Sequence, residues 1–513
     1  MSVYLVVFIV YFAIIIISSI IGSKKVETMG DFTTGGNKMG LVLGVGTSMA
    51  TWLSVASVMG VPGNIYSRGV CAITGWIGGW FLATSMMPIV AYKIRRPEVP
   101  CRTFPEFIHL RYDPYSSKSV IRIVVACIEL VGYFIFSYIQ IQGFGIVLSS
   151  ITGMSYYVCC LFFMVLLIFT CMGGFQSVAR TDTVNALLIL IGVIAGAITV
   201  MNITGGWEAM KENFITTTAP AIEGQPDLEP GVLGSAWGVY GASAIISIFL
   251  ANAFGSVVAP HWVSRFMAPR NAKTAALQMF IVVLLLVPVF IALVLIGIGG
   301  KMIIPSLPEG MTSDYMFPQL IINYLNPVLG SLALTAICAA AVSTANSMLL
   351  HCSTSLVYDI KRVIQNKEAS EEHDNKTTKE LRTWILLLGL IAVICAMGRF
   401  SFLADGFTYV YGAFGSTFFA PIMMGVLMKR MNQPAAWVSM GVGMSMYLYC
   451  TICGAPFGLP TFIVSAGLSI ISALITMAFT KKPPVVSYEA FFNDYPSQET
   501  IDTIHRIRKD AIA

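Results

Sequence analysis

Thirteen predominantly apolar stretches follow one another along the chain, at roughly 3–22, 40–66, 72–92, 120–150, 155–172, 183–203, 235–259, 275–299, 328–358, 383–398, 404–428, 435–454 and 459–480. A helix of about 20 apolar residues crosses the hydrocarbon core of a bilayer, with its backbone polar groups satisfied internally. The pattern therefore predicts an all-α polytopic membrane protein with thirteen transmembrane helices. The polar connections test the count. Taken alternately, the loops on one side, with the tail after 480, carry 27 of the 31 Lys and Arg residues. The other side holds Arg68, Lys211, Lys301 and Arg399. Basic residues concentrate on the cytoplasmic side, so the N-terminus is expected outside and the C-terminus inside. One span more or fewer would scramble that asymmetry.

The same pattern sets the organisation. Residues 1–480 read as a single transmembrane domain, and 481–513 as a polar cytoplasmic tail in which Ile501, Ile504 and Ile507 share one helical face. Five spans from about 40 to 203 and five from about 235 to 428 make two halves. Five is odd, so the halves have opposite orientation. This is the arithmetic of a 5+5 inverted repeat with one span before it and two after. Between the halves, 204–234 is an acidic loop on the outer side, and 301–327 holds a short apolar piece, YMFPQLIINYL, that would form a helix over the outer mouth. The segment 366–381 is a charge run of the kind that stays solvated.

Composition excludes most other classes. The chain is 56% hydrophobic and 11% charged, far from the quarter typical of soluble domains. Its net charge of +5 follows from the one-sided loops and calls for no nucleic-acid partner. The eleven cysteines lie mostly within apolar runs and give neither a disulfide framework nor a metal cluster; Cys450 and Cys453 form a C-x-x-C inside a helix, where packing explains them. The five histidines are scattered and no nucleophile motif is present, so no enzyme is expected. The first run, Val3 to Ile21, is followed by Lys24 and Lys25 and reads as a retained anchor.

Three stretches break the apolar pattern. Gly46–Gly63, GTSMATWLSVASVMGVPG, crowds hydroxyls into a span that ends in Gly60-Val61-Pro62-Gly63. A membrane helix interrupted by Gly and Pro is a pointer to a transporter site, because irregular backbone survives only where it lines a cavity. Small residues also serve helix packing, which is the plainer reading. Ala339–Ser347, AAAVSTANS, sets Ser343 beside Thr344; two hydroxyls and the free carbonyls of a facing broken helix make an oxygen cage suited to Na⁺. Met172–Asn185 leads through Arg180 to Asp182, an acidic group at membrane depth that either pairs with a neighbour such as Arg180 or binds a cation. Glu129 is a second such carboxylate. In Ala251–Pro269, Asn252 and Ser256 share a face at i, i+4, and Arg265 would cap the end in the cytoplasm.

These pieces resemble the sodium:solute symporter family, which has the leucine-transporter-like fold. The resemblance rests on MGVPG at 59–63, GGFQSVARTD at 173–182, PHWVSRFMA at 260–268 and AAAVST at 339–344, in order across nearly the whole chain. It is strongest to the pantothenate and proline permease branches. It implies a Na⁺ coupling ion held by carbonyls of Ala50, Leu53 and Ala340 and hydroxyls of Ser343 and Thr344. A second sodium would take Asp182, Asn346 and Ser347, although Asn346 stands where a hydroxyl is expected. Proline permeases carry an acidic residue where this chain has Trp52, and aromatic residues where it has Asn252 and Ser256. The chain is thus expected to import a small organic carboxylate, such as pantothenate, with sodium across the plasma membrane, in contact with lipid and with no nucleic acid. An amino acid, monocarboxylate or sugar substrate, proton coupling, and a transporter-like sensor are the alternatives. Position in the spans suggests Ser54, Ser57, Gln140, Asn252, Ser256 and Tyr411 as substrate contacts.

Overall fold

The computed structural model of the protein describes residues 3–23, 33–96, 101–170, 174–365, 371–399, 403–493 and 495–508. Lys24, Lys25, Cys171, Gly173 and the start of the 366–381 segment lie outside the described residues. Among the described residues each apolar stretch is largely helical. The elements used below are α1 (Val3–Ser23), α2 (Leu41–Trp52), α3 (Val61–Arg68), α4 (Val70–Arg95), α5 (Phe104–Tyr112), α6 (Val120–Thr152), α7 (Tyr156–Thr170) and α8 (Gly174–Thr204). They continue with α9 (Trp207–Thr216), α10 (Gly241–Val258), α11 (Pro260–Met267), α12 (Ala272–Ile303), α13 (Met316–Tyr324), α14 (Pro327–Thr354), α15 (Glu371–Ala396) and α16 (Leu403–Phe419). The last four are α17 (Gln433–Cys453), α18 (Thr461–Phe479), α19 (Val486–Phe492) and α20 (Gln498–Arg508).

Among the described residues, nine helices are long and apolar enough to cross a membrane, or ten if the bent pair α2 and α3 is one span. Three of the thirteen stretches fall short of that test. α1 and α7 are apolar but short among the described residues, and α15 begins with a charged turn. Lipid-facing character is plain on the outer helices. Ile9, Val10 and Ile14 of α1, Leu187 and Ile191 of α8, and Leu284 and Ile291 of α12 are all exposed, as a bilayer solvent permits.

The core is one large hydrophobic cluster with two small satellites, around Met39 and Phe175 and around Ala251 and Phe462. α14 runs through it, packed against α6 and α8, and α8 in turn packs against α2 and α12. α10 lies against α4 and α16. α14 is buried along most of its length because Ala339, Ala340 and Ala341 let neighbouring backbones approach.

The arginines that betray one end of the bundle do more than sit in water. Arg111 donates from Nε to the Gly425 carbonyl (2.8 Å), Arg95 to Pro269 (2.5 Å), and Arg430 to Met477 (2.5 Å). Each satisfies carbonyls left over at a helix end, where a cation also suits the helix dipole. At the same end α20 packs on α5 and α19, burying Ile504; the side chain of Ile507 lies outside the described residues. At the opposite end the two long loops join into one lid. Leu307 N donates to the Ala221 carbonyl (2.9 Å), Glu223 N to Leu307 (2.8 Å), and Lys301 Nζ to Pro220 (2.9 Å). The apolar piece forms the helix α13, as its sequence suggests.

Two expectations are corrected. The region after Val258 is not a connecting loop. Ala259 turns extended (ψ 132°) and Pro260 starts a second helix, α11, whose every residue is buried, because proline is pre-organised for a first helical turn. Arg265 therefore lies inside the bundle, 1% exposed, and caps nothing in solvent.

Candidate functional site

The first broken helix is built as its composition requires. α2 ends at Trp52, where Leu53 leaves helical geometry (φ −86°, ψ 43°). A wide turn over Ala56–Gly60 follows, and α3 restarts with Pro62 in its first turn. The two pieces are bent by 46°. Ser57 serves the break itself: its hydroxyl donates to the Ser54 carbonyl (3.0 Å) and to that of Trp52. Among the described residues no hydrogen bond ends on the carbonyls of Ala50 or Leu53. An unpaired carbonyl in a bilayer interior costs several kcal/mol unless it faces protein donors, water or an ion.

Asp182 is where three helices meet. It is 4% exposed on α8 and accepts the Thr47 hydroxyl of α2 at Oδ2 (2.7 Å) and the Ser343 hydroxyl of α14 at Oδ1. Arg180, its adjacent candidate partner, points outward and is exposed, and no ion pair joins the two among the described residues. The reason is helical geometry: residues two apart face opposite ways. Arg265 is the cation within Coulombic reach of Asp182. Thr47 lies one turn before Ala50, on the same face of α2. The carboxylate thus draws together the two sequence stretches expected to share a cation. Thr344, Asn346, Ser347 and Ala340 are buried on α14 around Ser343.

The expected substrate contacts divide. Asn252 is fully committed: Trp80 Nε1 donates to its Oδ1 (2.7 Å), and its amide donates to the Ile248 carbonyl (2.9 Å) and Thr408 Oγ1 (3.2 Å). It ties α10 to α4 and α16. Gln140 is the opposite case. It is 0% exposed on α6, and neither amide atom has a hydrogen-bonding partner among the described residues. Val55 packs on Gly143, one turn from Gln140, which places Gln140 on the stretch of α6 beside the break. The Trp52 Nε1–H is buried and unpartnered as well. The Trp52 ring packs on Trp262 (centroids 5.0 Å) and Trp80 (5.8 Å). Tyr411 lies edge-on to Phe136 (5.3 Å), while Ser54 and Ser256 are buried beside the break and on α10.

At the lid end the helix is pinned. Arg68 of α3 forms a two-pronged ion pair with Asp405 of α16 (2.7 and 2.6 Å), under the rings of Trp76 and Tyr240. Trp76 Nε1 donates to the Ala404 carbonyl (3.3 Å). A Cβ on Gly60 would stand 2.9 Å from Ala404 N, and one on Gly63 2.7 Å from the Ser313 carbonyl oxygen. Only glycine lets the backbones meet there. Asp314 is 1% exposed and accepts from Leu403 N (3.4 Å); burial pushes its carboxyl up to about 7, with Asp405 adding and Arg68 opposing.

Residues 32–443 match the model of the "Sodium:solute symporter family". The chain belongs to this family. It is 25% identical over 491 residues to an osmoregulated proline transporter of Bacillus subtilis, covering 94% of this chain and 96% of that one. It is 25% identical over 449 residues to a sodium/pantothenate symporter of Haemophilus influenzae, covering 83% and 86%. Among solved structures, a Na⁺-coupled sialic acid symporter in an outward-open state superposes with TM-score 0.76 at 20% identity, covering 94% of this chain and 98% of that chain. A nucleobase-cation-symport-1 family transporter gives 0.57 at 11%, covering 93% and 98%.

The protein is a multi-pass membrane transporter with the leucine-transporter-like fold, a sodium-coupled solute symporter and not an enzyme. Sodium acts as its coupling ion, not as a resident cofactor. The donor set of this symporter fits that ion: free carbonyls, hydroxyls and one carboxylate are hard oxygen ligands. Two features escape the sequence reading. The Arg68–Asp405 pair joins residues 337 apart, which no local pattern signals. Arg265 was visible as a charge in PHWVSRFMA, but only the Pro260 restart places it inside.

Proposed function

We propose that this symporter imports a small organic carboxylate, with pantothenate the leading candidate, through thirteen spans arranged as a 5+5 inverted repeat with the arginine-rich end in the cytoplasm. What supports the substrate reading is the unpartnered Gln140 amide, one turn from Gly143 where α6 meets the break, together with the buried, unpartnered Trp52 Nε1–H at the end of α2. Buried polar groups of this kind cost about 1–3 kcal/mol each when left unmade, and a carboxylate accepts from both N–H donors. Trp52, where proline permeases carry an acid, adds an apolar wall with Trp80 and Trp262. A polar, neutral site of this kind suits a carboxylate attached to an apolar or amide-bearing body.

The coupling sodium is held between the carbonyls of Ala50, Leu53 and Ala340 and the hydroxyls of Ser343 and Thr344. A second takes Asp182 with Asn346 and Ser347. The second broken helix, α10 and α11, mirrors α2 and α3 in the other half and supports the repeat. The pinned mouth at Arg68 corresponds to the outer gate closed. One charge crossing about 150 mV releases roughly 3.5 kcal/mol, and a tenfold sodium gradient adds about 1.4 kcal/mol. A carboxylate anion carried with the ion cancels that ion's charge, so the potential drives uptake only when a second sodium crosses with it.

The test is uptake into proteoliposomes of labelled pantothenate, proline, monocarboxylates and sugars, with and without a sodium gradient. Sodium-driven uptake of a carboxylate is expected, with Gln140→Ala raising its KM about tenfold and leaving the sodium requirement intact. Uptake of proline or a sugar without any carboxylate overturns the substrate reading.

A further inference from the structure

α1 stands before the two repeated halves, yet it carries one polar group to membrane depth. From Leu5 to Ile17 every side chain is apolar except that of Tyr11. The helix packs on α14, α8 and α7, with Phe8, Phe12 and Ile15 buried. The Tyr11 hydroxyl donates to Oδ1 of Asn185 on α8, the kind of partner a phenol needs away from water. Asn185 follows Asp182 by three residues, so the two share a face of α8. Tyr11 itself lies within Coulombic reach of the Asp182 carboxylate.

Two contacts fix how α8 and α14 lie against each other. Asp182 accepts the Ser343 hydroxyl, and a Cβ on Gly192 would stand 2.4 Å from that of Ala333. The same number of residues separates the two contacts on each helix, in opposite senses. The helices therefore run antiparallel and in step. Asn185 falls level with Ala340, between Asp182 and the carbonyl that stands in the proposed sodium cage.

Asn185 is fully buried, and its Nδ2 has no hydrogen-bonding partner among the described residues. Oδ1 is held by Tyr11, so the amide cannot turn over without giving up that bond. A plain fastener between α1 and α8 would account for the Tyr11 bond. It would leave the amide donors buried and unmade, which is costly. An N–H beside a sodium site cannot face the ion directly. It can face the oxygen of a water bound to the ion, and hard cations commonly keep water among their ligands.

Resting on the reading of Asp182 as the second sodium site, we propose that Tyr11 and Asn185 are positioning residues for that ion. Tyr11 fixes the Asn185 amide, and Nδ2 holds a water that completes the ion's coordination beside Asp182. A helix outside the inverted repeat thereby takes part in sodium binding.

The experiment is ²²Na⁺ binding to the purified full chain, without solute, in wild type, Tyr11→Phe, Asn185→Leu, Asp182→Asn and the variant combining Tyr11→Phe with Asp182→Asn. Phe12→Leu serves as a packing control on the same helix. Tyr11→Phe and Asn185→Leu should each raise the half-saturating sodium concentration about three- to tenfold. In the Asp182→Asn background Tyr11→Phe should add less than about twofold, because the ion it serves is already lost. Phe12 is buried against Phe144 (centroids 6.5 Å), so Phe12→Leu should lower the unfolding temperature and leave sodium affinity within about twofold. If either Tyr11→Phe or Asn185→Leu binds ²²Na⁺ as wild type does while Asp182→Asn does not, the pair is a fastener and the proposal is overturned, with the sodium site left standing. A Tyr11→Phe effect as large in the Asp182→Asn background as in wild type overturns it too. Wild-type binding by Asp182→Asn removes the second sodium site itself, and the proposal with it.

Discussion

Breaking the Arg68–Asp405 pair should unlatch the mouth of the transporter. The pair is a planar fork with both prongs made, at 2.7 and 2.6 Å, and the Arg68 guanidinium sits 5.8 Å from the Trp76 ring centroid and 5.2 Å from that of Tyr240. Hydrogen bonds between charged groups contribute about 1.5–3 kcal/mol when desolvated. Here 13% and 20% of the two side chains remain exposed, so screening takes the fork to the low end, about 2 kcal/mol for both prongs. The ring contacts add about 0.5 kcal/mol. Arg68→Ala should therefore shift the balance between closed and open mouth by roughly 30- to 70-fold at 1.4 kcal/mol per tenfold.

Cys71 supplies the reporter. It is 0% exposed, three residues past the gate, with its thiol donating to the Arg68 carbonyl (3.1 Å). In a variant keeping Cys71 as sole cysteine, labelling by an impermeant maleimide measures the open fraction. Arg68→Ala and Asp405→Asn should each speed labelling more than tenfold. The swap Arg68→Asp with Asp405→Arg should recover only part, because no cation then lies under Trp76 and Tyr240. Rates within threefold of wild type in both single variants would falsify the latch.

Three further outcomes follow from the same geometry. Ser343→Ala and Thr344→Ala should raise the sodium concentration for half-maximal uptake about tenfold or more while leaving membrane expression near wild type; unchanged sodium affinity in both refutes the cage. Asp182→Asn keeps the shape but loses the charge that receives Thr47 and Ser343, so it should weaken ²²Na⁺ binding and not substrate binding measured at saturating sodium. Asp314 gives the mouth a pH dependence. Burial raises its carboxyl from 3.8 to about 7 in the closed form, so closure is favoured while it is protonated and is lost as outside pH rises through about 7. The ratio of wild-type to Asp314→Asn labelling at Cys71 should fall as outside pH drops from about 8 to 6; a flat ratio excludes the effect.

Most spans were legible because apolar length is a local property: nine of the thirteen stretches, or ten with the bent pair, form helices long and apolar enough to cross a membrane among the described residues. The break at Leu53 was legible for the same reason, since Gly60, Pro62, Gly63 and the hydroxyls around them sit in one window of 18 residues. Asp182 was visible as a charge at depth. Its partners were not, because Thr47 and Ser343 lie 135 and 161 residues away. Arg180 was the sequence neighbour, and helix periodicity turned it outward. Asn252 shows the same limit: a polar residue in a membrane helix holds Trp80 and Thr408, partners its sequence surroundings do not announce. Polar identity alone cannot separate a ligand from a fastener, whereas an unpartnered buried amide such as Gln140 can be recognised only once its surroundings are fixed.

The position of the break explains how one helix can serve both ends of the bundle. Thr47, on one side of Leu53, answers to Asp182; Arg68, on the other, answers to Asp405. The distance from Leu53 to Arg68 is roughly 22 Å along the chain at helical rise. A swing of about 10° at the break then moves the guanidinium by about 4 Å, enough to part a hydrogen bond made at 2.7 Å. No bending of a regular helix is needed, because Leu53 already lies outside helical geometry and Ser57, not the helix ladder, satisfies the Trp52 carbonyl. The unpaired carbonyls of Ala50 and Leu53 sit at the pivot. An ion bound there would have its oxygen cage reshaped by the same swing that opens the mouth, so that ion occupancy and gate position are linked through a few residues of irregular backbone. Restoring a continuous helix through 53–60 should accordingly uncouple the two, leaving a transporter in which sodium no longer alters the rate at which Cys71 is labelled.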